Sequence, residues 1–180
     1  LSEYDEFLLM ATPTTEQAAL DYLNRGWSVI PVRERGKRPA VRWKAYQDKC
    51  VSKKTLHDWF RRSPDYNVAI VTGALSGLVV LDVDPRHGGK DSLRELEREH
   101  GPLPKTMESI TGGGGRHVYF SHPGGEVPNR TNIRPGIDLR GDGGCIVSPP
   151  SVHPSGKRYR WKKGRAPGEV KLAPLPDWLL

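Results

Sequence analysis

Three aspartates and a histidine carry the chemistry this sequence is equipped for. Asp82 and Asp84 close the apolar run Gly77-Leu78-Val79-Val80-Leu81-Asp82-Val83-Asp84, Asp138 sits in Ile137-Asp138-Leu139, and His117 follows a glycine loop. The run reads as a buried strand, on which alternate side chains share a face, so Asp82 and Asp84 are expected to point the same way with Cα atoms roughly 7 Å apart. Two carboxylates that close raise each other's pKa unless a hard cation such as Mg²⁺ or Mn²⁺ sits between them. Pro85 cannot donate to a sheet ladder, so the strand should stop there and leave both acids at its C-terminal lip. Asp-x-Asp at a strand end also occurs in phosphatases, glycosyltransferases and simple turns, so its downstream partners decide the reading.

The first partner is Thr111-Gly112-Gly113-Gly114-Gly115-Arg116-His117, where four glycines would let backbone amides approach an anion. No Gly-Lys-Ser/Thr follows and the next element reads as a strand, which excludes a Walker loop. In that strand Val118 and Phe120 should face the core, with His117 and Tyr119 on the other side. A histidine beside Arg116 and directly after Gly115 is a candidate to touch a triphosphate. The second partner is Asp138, with Arg140 on the same strand face, whereas Asp142 lies between glycines and reads as a turn residue. Carboxylates, a glycine loop and a basic surface together fit phosphoryl transfer on nucleotides better than proton transfer. Two Mg²⁺ or Mn²⁺ ions about 3.5–4 Å apart would activate an attacking 3′-hydroxyl and neutralise a departing pyrophosphate.

Local signals set out the elements that must position these groups. Thr14 and Gln17 form a capping box for a helix that stops at Gly26, and Trp27–Val32 reads as a strand. A basic turn, Gly36-Lys37-Arg38-Pro39, follows. Ser52 should cap a helix over Leu56–Arg62, Asn67–Val71 reads as a strand, and Asp91 is expected to cap a third helix over Leu93–His100 that Gly101 closes. Strand, helix and strand in this order suggest an α/β unit at the front. After Pro104 the pattern is of short strands between glycine turns, at 106–110, 118–120, 137–140, 145–148 and 158–161, which predicts a mostly antiparallel or mixed sheet. Arg158-Tyr159-Arg160-Trp161 alternates base and aromatic: either it tracks phosphates while stacking on a base, or its aromatics face the core and its bases face water. The last residues, Leu175–Leu180, begin like another helix. Residues 1–13 read as a lead-in and 14–180 as one catalytic domain, expected to be cut from a longer protein.

The 180 residues suffice for one domain, and the net charge of +7 arises largely from clusters at 33–44 and 157–165, which suit a polyanionic partner, nucleic acid before membrane. No stretch is long and apolar enough to span a membrane and no signal-peptide pattern is present, so a cytoplasmic protein is expected. Cys50 and Cys145 lack Cys-x-x-Cys spacing, which argues against a disulfide framework or a structural zinc site, and both are expected to be buried.

Taken in order, Leu81-Asp82-Val83-Asp84, Gly115-Arg116-His117 and Ile137-Asp138 resemble the three motifs of the archaeo-eukaryotic primase superfamily, in particular the bifunctional primase/polymerase N-terminal domains of plasmids, phages and integrated elements. The likeness runs from about Ala18 to Trp178 and takes in Gly26–Val32, Lys37-Arg38-Pro39, Thr72-Gly73 and Pro149–Pro154. It implies an α+β fold, an RNA-recognition-motif-like mixed sheet beside a small N-terminal α/β unit. It further implies a template-dependent DNA primase or polymerase that adds NTPs or dNTPs to a 3′-hydroxyl. Asp82, Asp84 and Asp138 would be the catalytic metal ligands. His117 would touch the nucleotide's phosphates, with Arg116, Gly115, Lys37, Arg140, Ser151 and His153 as further nucleotide contacts. Arg38, Arg158, Arg160 and Trp161 are the candidates for DNA. The expected partners are a single-stranded DNA template, a primer and, in the full-length protein, a C-terminal helicase. A metal-dependent nuclease and a non-catalytic origin-binding module are the rival readings.

Overall fold

The structure is a computed structural model and describes residues 12–180. Helix α1 (Thr15–Asn24) starts as its capping box predicts: the Thr14 side chain accepts from Gln17 N while the Gln17 side chain accepts from Thr14 N. Ala18, Ala19 and Tyr22 form its buried stripe, and Gly26 takes the left-handed conformation (φ 84°) just past the end. Strand β1 (Val29–Val32) follows, then helix α2 (Lys53–Arg62), whose first free amide is capped by Ser52 and whose Leu56, Trp59 and Phe60 face inward. Strand β2 (Asn67–Val71) pairs on one side with β1 and on the other with β8 (Cys145–Ser148) in a three-stranded antiparallel sheet of order β1-β2-β8.

The larger sheet runs β6-β7-β3-β5-β4-β9. Its strands are β3 (Leu78–Val83), β4 (Glu108–Ile110), β5 (Arg116–Ser121), β6 (Arg130–Arg134), β7 (Ile137–Arg140) and β9 (Arg160–Trp161). A short parallel strand, β10 (Ala173–Pro174), adds to β5. Helix α3 (Gly89–His100) covers one face together with the C-terminal 3₁₀ turn Asp177–Leu179, and that face buries Val79, Leu81, Val118, Phe120, Ile137 and Leu139. The opposite face carries Leu78, Val80 and Tyr119 into a second core shared with α1, α2 and the small sheet. Both faces are therefore covered, which is why β3 reads as an unbroken apolar run. The chain is mixed α+β, as expected, with three α-helices among the described residues and two essentially antiparallel sheets.

Several local expectations need correcting. The third helix begins at Gly89 and its N-cap is Gly88 (φ 85°), not Asp91, which instead pairs with Arg94 inside the first turns. Gly89 stands where any Cβ would meet Gly136 O at 2.5 Å and Asp84 O at 2.7 Å, so close backbone packing decides that start. Cys50 and Cys145 are half-buried rather than buried. The terminal residues make one 3₁₀ turn, and only Arg160–Trp161 of the basic-aromatic segment enters the large sheet. Among the described residues no helix is long and apolar enough to cross a membrane.

Candidate active site

Register brings distant residues together. Asp82 lies directly opposite Asp138 on β7 and opposite His117 on β5, so the three side chains form one cross-strand row. Alternation on β3 puts Asp82 on the same face as Leu78 and Val80, at the point where cover from the N-terminal layer ends. The next row holds Arg140, Val80 and Tyr119.

Two like charges opposite each other on a sheet repel, and Arg140 answers both: its Nη2 lies 2.8 Å from Asp138 Oδ2 and 3.7 Å from Asp82 Oδ2. Asp138 Oδ1 accepts the Asn132 amide at 2.7 Å. That amide is aimed by an irregularity in β6, where Asn132 takes a positive φ of 54°, a conformation asparagine tolerates. His117 Nε2 lies 3.5 Å from Asp82 Oδ1. Burial, helped by Lys37 and Arg140 and opposed by Asp82, pushes the imidazole down to about 4, so the ring is neutral at pH 7. Its Nδ1 is buried toward the Val147 backbone without a well-formed hydrogen bond, and Arg140 Nε is likewise unpartnered among the described residues.

Asp84 does not end the strand, as the sequence suggests. β3 stops at Val83 and Asp84 caps a 3₁₀ turn, Pro85–His87. Its carboxylate accepts from Arg86 N (3.0 Å), Arg86 Nη2 (2.8 Å) and His87 Nδ1 (3.1 Å), and these bonds, Arg86 foremost, hold the carboxyl well below its usual range. Asp84 still borders a hollow shared with Asp82, His117, Lys37, His153, Gly115 and Arg86. Lys37 reaches it from the basic turn, which is closed by Arg33 N donating to Arg38 O. His153 packs over Gly112, and burial together with Lys37 and Arg86 lowers its pKa.

Other expected site residues lie elsewhere. Arg116 points to the opposite sheet face, where its Nε donates to the buried Glu108 at 2.6 Å. Ser151 is spent on β2: its Oγ accepts Val68 N and donates to Val68 O. In the glycine loop the amides of Gly114 and Gly115 are taken by Thr111. Its glycines serve close packing as well, since a Cβ on Gly112 would meet His153 Cβ at 2.3 Å and one on Gly115 would meet Val83 O at 2.6 Å. Arg38, Arg158 and Arg160 are exposed. Tyr159 and Trp161 face inward, Tyr159 against the rings of His117 and His153 (centroids 5.9 and 5.8 Å) and Trp161 against Tyr119 and Tyr22. Tyr159 is therefore core-facing, whereas Trp161 is only partly buried and Arg158 and Arg160 face water.

Two hollow residues escape the sequence reading. Arg86 stands two positions after Asp84, and a cation beside a proline turn that follows paired acids was the available signal. Tyr159 is visible only as one of two alternating aromatics, with nothing to show that histidines flank it.

The donor chemistry of Asp82, Asp84 and Asp138 fits hard divalent ions, since carboxylate oxygens are their preferred ligands. As the side chains lie, no group of three His, Cys, Asp or Glu residues among those described is close enough to share an ion, and Arg140 and Arg86 occupy the carboxylates instead.

The α+β domain thus lines up two acids and a buried histidine, with Asp82 and the histidine lining a cation-rimmed hollow. The family profile of bifunctional DNA primase/polymerase N-terminal domains matches residues 19–178, and the chain belongs to that family. No curated protein matches the sequence.

Proposed function

We propose that this domain is a template-directed nucleotidyltransferase, a DNA primase or polymerase that joins NTPs or dNTPs to a 3′-hydroxyl during replication of a plasmid, phage or mobile element. The observation that carries the reading is the row Asp138–Asp82–His117, whose Asp82 and His117 line a hollow bearing Lys37 and Arg86. Asp82, Asp84 and Asp138 would hold Mg²⁺ or Mn²⁺, which when bound lowers the pKa of an attacking hydroxyl and offsets charge on the leaving pyrophosphate. Lys37 and Arg86 present ammonium and guanidinium groups to a triphosphate, and an arginine fork suits phosphate oxygens in pairs. His117, neutral, offers one ring N–H as a hydrogen-bond donor to a phosphate oxygen without adding charge. Arg140 balances the acids until substrate arrives.

The test is primer extension on a single-stranded template with Mn²⁺ or Mg²⁺. Asp82→Ala, Asp84→Ala and Asp138→Ala should each abolish incorporation while far-UV circular dichroism stays unchanged, and His117→Ala should raise the nucleotide concentration needed. Degradation of the primer instead of extension would favour the nuclease reading. Retained activity in all three acid variants would refute the site.

A further inference from the structure

Tyr159 is a partition as well as a packing residue. Tyr159 lines both the hollow of Asp82 and His117 and a separate cleft of about 330 Å³ that Tyr22, Pro149, Pro150 and Trp161 also line, together with Arg158 and Arg160. That volume is at the low end of ligand-binding clefts. Its walls are held in place before anything binds. The Tyr22 hydroxyl donates to Pro149 O at 2.6 Å, Trp161 meets Tyr22 edge-on (6.2 Å, 81°), and Tyr119 supports the indole from behind (5.2 Å, 51°). Trp161 nevertheless stays half exposed. Arg158 donates one nitrogen to Pro150 O, and Arg160 makes no ion pair among the described residues.

We infer that this cleft seats an unpaired base of a single-stranded DNA, stacked on Trp161, with the flanking phosphates on Arg158 and Arg160. A partly exposed indole beside two exposed guanidinium groups matches a base with its charged backbone. Sharing Tyr159 with the hollow places the strand next to the groups proposed to receive nucleotide. The inference takes its partner from the template-copying reading, but it concerns binding alone and is tested without chemistry.

The experiment is fluorescence anisotropy of a labelled oligodeoxythymidylate with the whole chain, in EDTA and without nucleotide, over a series of salt concentrations. Trp161→Leu, which keeps apolar bulk against Tyr119, should weaken binding roughly five- to hundred-fold, the range for loss of one aromatic stack. Arg160→Gln should lower the salt slope by about 0.7, the loss of one single-strand phosphate contact. Asp82→Asn should bind like wild type, so failure of the catalytic reading would leave this result standing. Photocrosslinking with 5-iododeoxyuridine should label Trp161. Unchanged affinity in both the Trp161 and Arg160 variants, or crosslinks confined to other segments, would overturn the inference, as would equal dependence on Trp161 for duplex DNA. A cleft built for a proline-rich peptide would give the first of these outcomes.

Discussion

A carboxylate fed by two backbone amides is a stability device whose contribution depends on pH, and Asp142 is this molecule's example. Burial opposes its charge, but Val127 N (2.7 Å), Ala74 N (2.8 Å) and His122 outweigh it and hold the carboxyl below its ordinary value of 3.8. Because the folded form binds its proton less readily than the unfolded chain, the stabilisation is fully present above pH 3.8 and is lost as pH falls through the lower, folded value. Asp142→Ala should therefore cost about 1–3 kcal/mol at pH 7 by urea denaturation, and the gap from wild type should close in strong acid. A gap that persisted at pH 2 would show that packing, not charge, does the holding. The turn role of Asp142 was legible because glycines flank it. The fate of Asp84 was not, because nothing in Leu-Asp-Val-Asp-Pro tells whether the second acid continues the strand or caps the turn that the proline starts. Arg116 shows the same limit: motif adjacency to His117 could not reveal that alternation sends it to Glu108 on the other face.

Elements set the row that single residues only populate. The positions of β3, β5 and β7 were readable from apolar runs and glycine punctuation, and their antiparallel order places Asp82 between Asp138 and His117. Strand β6 was invisible because Arg130-Thr131-Asn132-Ile133-Arg134 is polar and mostly exposed, yet its distorted register aims Asn132 N at Asp138. Register in such a strand is set by its neighbour, not by its own pattern. The glycine loop before β5 was read as an anion cradle, while the structure shows its glycines also admitting His153 and the Val83 carbonyl. Gly112→Ala tests the packing part: with 2.3 Å to His153 Cβ and 2.5 Å to Lys157 O, the added methyl should cost about 1–3 kcal/mol. Thermal melting would measure it, and a variant as stable as wild type would mean that the loop yields easily.

At the scale of the whole molecule, two sheets meet through Tyr119, whose hydroxyl lies 3.4 Å from Ser109 on β4 and 3.5 Å from Ser148 on β8. The two-sided cover of the large sheet was implied by the unbroken hydrophobicity of β3, but the separate small sheet was not, since β8 joins β2 across more than seventy residues. The bridging guanidinium of Arg140 has an effect on the molecule entire. With a resident positive group already between facing acids, the native shape is expected to form without an inorganic ion. Chelation should leave the melting temperature unmoved, whereas Arg140→Ala should melt lower at neutral pH, by about 1 kcal/mol, and regain stability on addition of Mn²⁺. A site wired in this way would keep its facing acids in place through scarcity of divalent cations.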